Sequence, residues 1–80
     1  MNAAPSTAIV EIHVRLPPEE IAYVKFVFES YEGVAVVRTV DRRRAVIALL
    51  VVPDFLAAAR GILESLRAEV AWEEVPVTRR

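Results

Sequence analysis

The 80-residue chain contains no cysteine, which excludes a disulfide framework and any thiolate metal site. Its two glycines are too few for a glycine-rich phosphate loop, and its single histidine leaves no second imidazole for a metal. No segment reaches the roughly 20 apolar residues needed to span a bilayer. Charge of one sign is also missing. Ten Lys+Arg stand against eleven Asp+Glu, a net charge of −1, whereas a general nucleic-acid binder carries a marked basic excess. The opening "MNAAPSTAIV" lacks the basic n-region and long apolar stretch of a secretory signal, so a cytoplasmic protein is expected.

What is abundant is apolar surface. Hydrophobic residues make up 55% of the sequence, in a chain near the size at which one core is only just sufficient. A body this small has much surface and little interior, so some apolar area is expected outside, where it usually means a partner. Composition favours a homo-oligomer.

The pattern along the chain is legible. "AIVEIHVRL" alternates, with Val10, Ile12 and Val14 on one side and Glu11, His13 and Arg15 on the other, the period of a half-buried strand. "PPEE" stops it, with Pro18 suited to a first helical turn and Glu19 and Glu20 to a helix N-terminus. From Ile21 the period is helical: Ile21, Val24, Val27, Phe28 and Tyr31 share a stripe, and Gly33 stands where a C-cap glycine belongs. "VAVVRTV" and "AVIALLVV", separated by "DRRR", form a hairpin. Asp41 is expected to open a four-residue loop on a type I turn. "PDFLAAARGILESLRAEV" is a second amphipathic helix, with Asp54 placed to cap it or complement its dipole. Its buried stripe is Phe55, Ala59, Ile62, Leu63 and Leu66, and its wet side Arg60, Glu64 and Arg67. "VAWEEVPV" closes as a short edge strand.

The order β-α-β-β-α-β predicts an α+β, ferredoxin-like sandwich: an antiparallel sheet with both helices on one face. One domain is expected over residues 9–77, flanked by flexible tails at 1–8 and 78–80. The far sheet face has no cover. Pairing the hairpin across "DRRR" sets Val40 opposite Ala45, Arg38 opposite Ile47, Val36 opposite Leu49 and Val34 opposite Val51. Arg38 belongs outside the core, which makes Val34, Val36, Ile47, Leu49 and Val51 the expected oligomer interface, with Tyr23 and Phe26 as a second surface.

No residues form a catalytic motif, and neither a metal nor a cofactor is implied. His13 and Arg15, with Glu11 on the same strand face and Arg38 across the sheet, are the candidates for holding an anionic ligand. Cross-strand ion pairing is the alternative reading of that cluster. Arg42, Arg43 and Arg44 have the chemistry to grip a phosphate or carboxylate, giving weak nucleic-acid binding as a further alternative; a solvated hairpin tip is the simpler reading. An RNA-recognition sheet would need stacking aromatics on its central strands, and these carry Ile47, Leu49 and Val51.

The stretch "PPEEIAYVKFVFESYEGVAVVRTVD", followed by "ALLVVP", resembles an uncharacterised bacterial family of small domains of unknown function, from about Ile9 to Val70. That resemblance implies an ACT-like or ferredoxin-like fold, no assigned enzyme activity and no family site to carry over. The element order is also similar to the ACT regulatory domains, which bind small effectors, often amino acids, at subunit interfaces. They commonly use a glycine-bearing loop between the first strand and first helix, where this chain has "LPPEE". The arginine-containing loop of acylphosphatases and the paired cysteines of metallochaperones with this fold are both missing. The combined expectation is a non-catalytic, homo-oligomeric regulatory or interaction domain whose partner is itself, with small-ligand sensing at a subunit interface as the alternative.

Overall fold

The computed structural model describes residues 8–77; apart from Ala8, the residues expected to be tails lie outside that range. The chain runs β1 (Val10–Arg15), α1 (Ile21–Glu29), β2 (Val36–Asp41), β3 (Val46–Val51), α2 (Leu56–Leu66) and β4 (Glu73–Val75). The four strands make one antiparallel sheet in the order β2-β3-β1-β4. With both helices on one face, this is the expected ferredoxin-like α+β sandwich. No helix among the described residues is long and apolar enough to cross a membrane.

Each helix is led in by a 3-10 turn that begins with proline, Pro18–Glu20 before α1 and Pro53–Phe55 before α2. Proline suits that place because its ring presets φ and the missing N–H would have no helical partner there. The second turn corrects the reading of Asp54. It makes no side-chain capping bond and sits inside the turn, because α2 begins only at Leu56. The same shift leaves Phe55 exposed instead of in the buried stripe. Tyr31 lies beyond the last residue of α1 and is also exposed. Gly33 has φ +81° in the turn that follows, a left-handed conformation that glycine adopts without steric cost.

The core fills the space between sheet and helices. Ile12 and Val14 of β1, Ile47, Leu49 and Val51 of β3, and Val37 of β2 meet Val24 and Phe28 of α1 and Ala59, Leu63 and Leu66 of α2. Trp72, expected on the edge strand, precedes β4 and is buried. Its indole N–H donates to the Leu63 carbonyl at 2.8 Å, and the Arg67 guanidinium lies 3.7 Å above its ring.

The hairpin register overturns the expected interface. Val36 pairs with Leu50, Val37 with Leu49, Arg38 with Ala48 and Thr39 with Ile47, whereas Asp41 pairs with Val46. A bulge between Thr39 and Asp41 absorbs the extra residue. Asp41 closes the strands instead of starting the loop, its Oδ1 accepts from the Arg44 N–H at 3.1 Å, and Ala45 completes the turn at φ 58°. One residue of slip sends every β3 side chain to the opposite face. Ile47, Leu49 and Val51 are therefore core residues with no exposed surface, and Val34 is buried with them. Of the five sheet residues expected at the interface, only Val36 stays on the open face, 63% exposed.

This register makes a sharp stability prediction. Ile47→Ala should lose about 2–5 kcal/mol, the range for truncating a buried isoleucine, whereas Val36→Ala should stay within roughly 0.5 kcal/mol of the parent. Urea unfolding followed through Trp72 fluorescence checks both. Equal losses at the two positions would contradict the register.

Candidate functional site

The sheet face opposite the helices carries the residues that alternate with the core set, and at its centre His13, Ala48 and Val46 are buried while Val36 and Arg38 at its β2 side are exposed. Its rows follow from the strand pairing. Arg38, Ala48, His13 and Val75 form one row from β2 to β4; Val36, Leu50 and Glu11 form the next. Asp41, Val46, Arg15 and Glu73 form the row nearest the hairpin tip. The face is thus an apolar strip along β3, with Val36 beside it on β2, bordered by ionisable groups.

Most of those groups hold one another. His13 is 3% exposed although it points away from the helices, and its Nε2 lies 2.8 Å from Glu11 Oε1. A carboxylate two residues along the same strand is its neighbour on that face. Arg15 donates to Glu73 directly across from it. Arg44 stands 3.8 Å from Asp41. Arg38 is exposed and its side chain has no hydrogen bond or ion pair among the described residues.

A cleft of about 470 Å³ opens on this face, lined by His13, Arg15, Val40, Asp41, Arg44, Val46, Val75 and Pro76. The structure therefore brings together two of the three ligand candidates, His13 and Arg15, with Arg44 from the hairpin tip. Arg38 shares the row of His13 but does not line the cleft. Arg42 and Arg43 are exposed, with no side-chain partner among the described residues, so only one arginine of the tip contributes here. The sequence reading missed Val40, Val46 and Val75. Ala48 carried the missing signal: Val46, Ala48 and Leu50 are the less bulky alternate set of β3, and the bulkier set takes the core.

A second cleft, of about 580 Å³, lies where β1 runs into α1 and α2 into β4, lined by Arg15, Leu16, Pro17, Arg67, Val70, Ala71, Trp72 and Glu73. Its cations are already engaged. Arg15 donates to Glu73, and Arg67 donates to Glu64 at 2.9 Å and to the Trp72 carbonyl at 3.1 Å. No group of three His, Cys, Asp or Glu side chains among the described residues is placed to hold a metal.

On the helical side, Tyr23 donates to Glu69, past the end of α2. That hydrogen bond, more than desolvation or the charges of Glu69 and Glu20, pushes its phenol above the ordinary value. Tyr23 thus ties α1 to the far end of α2, while Phe26, one turn on, is 67% exposed.

A four-stranded antiparallel sheet in the order β2-β3-β1-β4 with two helices defines the class, an α+β domain of ferredoxin-like arrangement. Residues 14–70 match the profile of the family described as a domain of unknown function, DUF4911, well over half of the 80 residues, and the chain belongs to that family. No curated protein and no solved structure matches it. Glu11, His13, Glu73 and Val75 lie outside the matched span.

Arg60 of α2 holds Glu74 of β4 through two hydrogen bonds, at 2.9 and 3.2 Å. The guanidinium keeps that carboxyl below its ordinary 4.5. A depressed folded-state value stabilises above the ordinary value, and the contribution disappears as pH falls through the depressed one. Glu74→Gln should therefore be less stable than the parent at neutral pH, and the gap should close below pH 4.5. Urea midpoints across that range check it; a gap that persists in acid would show that the pair is not its source.

Proposed function

We propose that the chain is a cytoplasmic, non-catalytic interaction or regulatory domain that works as a homo-oligomer, with the open sheet face as its association surface. One observation carries the reading. Val36 and Val40 are exposed on β2, beside the half-buried Leu50 of β3 on the sheet face opposite the helices, and exposed apolar area of this kind mostly marks a contact surface. Phe26 on α1 is a second, smaller exposed anchor on the opposite side of the molecule, fit for a further contact in a larger assembly. The absence of chemistry in the reading rests on the cleft itself. Its imidazole is engaged by Glu11, and none of its lining residues carries a hydroxyl, amine or thiol nucleophile.

A second reading has its own support. The cleft beside His13, Arg15 and Arg44 is concave, half apolar and bordered by cations, a setting that suits a small ligand with an anionic group, in the manner of an ACT-like sensor.

Native mass spectrometry of the purified chain tests both. The parent is expected as a dimer or larger species, and Val36→Glu as a monomer with unchanged Trp72 emission. An assembly that survives Val36→Glu, or a parent that is monomeric at micromolar concentration, overturns the association surface. A reproducible small-molecule adduct that is lost in Arg44→Ala would move the ligand reading to first place.

A further inference from the structure

We infer that the free edge of β2 takes up an extended, acidic segment of a partner polypeptide as a fifth strand of the sheet, with Arg38, Arg42 and Arg43 holding its carboxylates. This goes beyond the association surface proposed above, which is a face of the sheet, and does not depend on it.

The two edges of the sheet are unlike. β4 forms one of them. It is three residues long, and Pro76 follows it without an N–H to offer. Glu73 and Glu74 on it are engaged by Arg15 and Arg60. A short strand ended by proline is a closed edge. β2 forms the other edge. It is six residues long and contains no proline. Its bulge lies near the hairpin tip, between Thr39 and Asp41, and leaves Val36 to Thr39 in regular register. Among the described residues the backbone of β2 bonds only to β3. The N–H and C=O groups of its outer side are therefore a template for a further strand.

Charge defines the chemistry of that strand. Among the described residues, Arg15, Lys25, Arg44, Arg60 and Arg67 each lie within 4.0 Å of a carboxylate. The cations that do not are Arg38, Arg42 and Arg43, and all of them belong to β2 or to the turn that continues it. Asp41, the acid of this stretch, is taken by the backbone N–H and guanidinium of Arg44. Unpaired cations are thus gathered along one open edge, in a chain whose acids outnumber its bases. Val36 and Val40 are exposed on the same strand. Side chains of an added strand lie opposite those of β2. A matched segment therefore carries a carboxylate facing Arg38, further carboxylates facing the tip, and apolar residues facing Val36 and Val40.

Two other occupants fit less well. A second copy brings the same edge, with arginine set near arginine, and like charges across a strand pair oppose pairing. Charge on an edge commonly keeps copies apart; here it also selects a segment of opposite sign. A DNA backbone meets the guanidiniums, but its phosphate oxygens accept hydrogen bonds and donate none. The edge carbonyls would stay unbonded and the valines uncovered. A polypeptide supplies both donors and acceptors.

The test uses a capped, fluorescein-labelled peptide of sequence ETVTETV, whose antiparallel docking sets its glutamates opposite Arg38 and Arg42 and its valines opposite Val36 and Val40. Anisotropy should show saturable binding with Kd below about 1 mM, and amide exchange should slow at Val36 to Thr39. Three changes should each weaken it about three- to tenfold or more: the charge-reversed KTVTKTV, the Arg38→Glu variant, and ETPPETV. The adjacent prolines of ETPPETV remove an N–H from whichever side faces β2 and keep both glutamates. Arg38→Glu should in turn prefer ETVTKTV, with Trp72 emission reporting that the variant is folded. If it is not, Arg38→Gln replaces it and should bind ETVTETV and ETVTKTV alike. No saturable binding, or ETPPETV or KTVTKTV binding as well as ETVTETV, overturns strand addition. A single-stranded DNA oligonucleotide that binds more tightly than ETVTETV and displaces it assigns the arginines to phosphate and also overturns it. Peptide binding by a chain found to be monomeric supports the edge while the association surface falls.

Discussion

The register of the β2–β3 hairpin decides what the two faces of this sheet are. β3 is apolar at every position from Val46 to Val51, so either alternate set is able to face the helices. The choice is settled by small differences. Ile47, Leu49 and Val51 carry about three more methylene-sized groups than Val46, Ala48 and Leu50 and fill the space against the helices more completely. Against this stands Ala45 in the left-handed region, at roughly 1–2 kcal/mol. The bond from the Arg44 N–H to Asp41 Oδ1 returns about 0.5–1.5 kcal/mol. Filling the core with the larger set wins, and the bulge between Thr39 and Asp41 is how the chain accommodates it.

The same decision shapes the outer face. With the smaller set turned outward, the centre of that face is low at Ala48 and raised at its margins by Val36, Arg38, Glu11 and Arg15. Polar groups there were constrained by the pleat to meet across or along strands. The consequences are the pairs Arg15 with Glu73 and His13 with Glu11. Had β3 been turned the other way, Ile47 and Leu49 would have made a flat apolar plateau on this face, and Ala48 would have left a void beneath Phe28 and Leu63 in a core this chain is too small to leave loose.

What could be read from the sequence was local. The strand of Val10 to Arg15, the helix starts after Pro18 and Pro53, the turn at Gly33 and the wet side of α2 follow from alternation, helical period and the special backbones of proline and glycine. The hairpin's existence was equally plain, and with it the ferredoxin-like order. Its register was not, because a period of two has no meaning in a strand that is apolar throughout. The error then passed to the candidate site: Ile47, Leu49, Val51 and Val34 went to the wrong face, while Val36, His13 and Arg15, whose strands do alternate or border charge, went to the right one. Contacts between distant segments were also beyond reach. Nothing near Tyr23 in sequence indicates Glu69, and nothing near Trp72 marks it as the lid over Leu63 with Arg67 stacked outside.

The proposed association and the second, ligand-binding reading would be linked physically. The cleft beside His13 and Arg44 lies on the same surface as Val36, Val40 and Leu50, so a body seated there would also roof the cleft. An anion held there by Arg15 and Arg44 would then be bound between subunits, away from bulk water, where its interactions with those cations are less screened. Reciprocity follows from thermodynamics: a ligand that binds the closed pair more tightly than the single chain must strengthen pairing by the same factor.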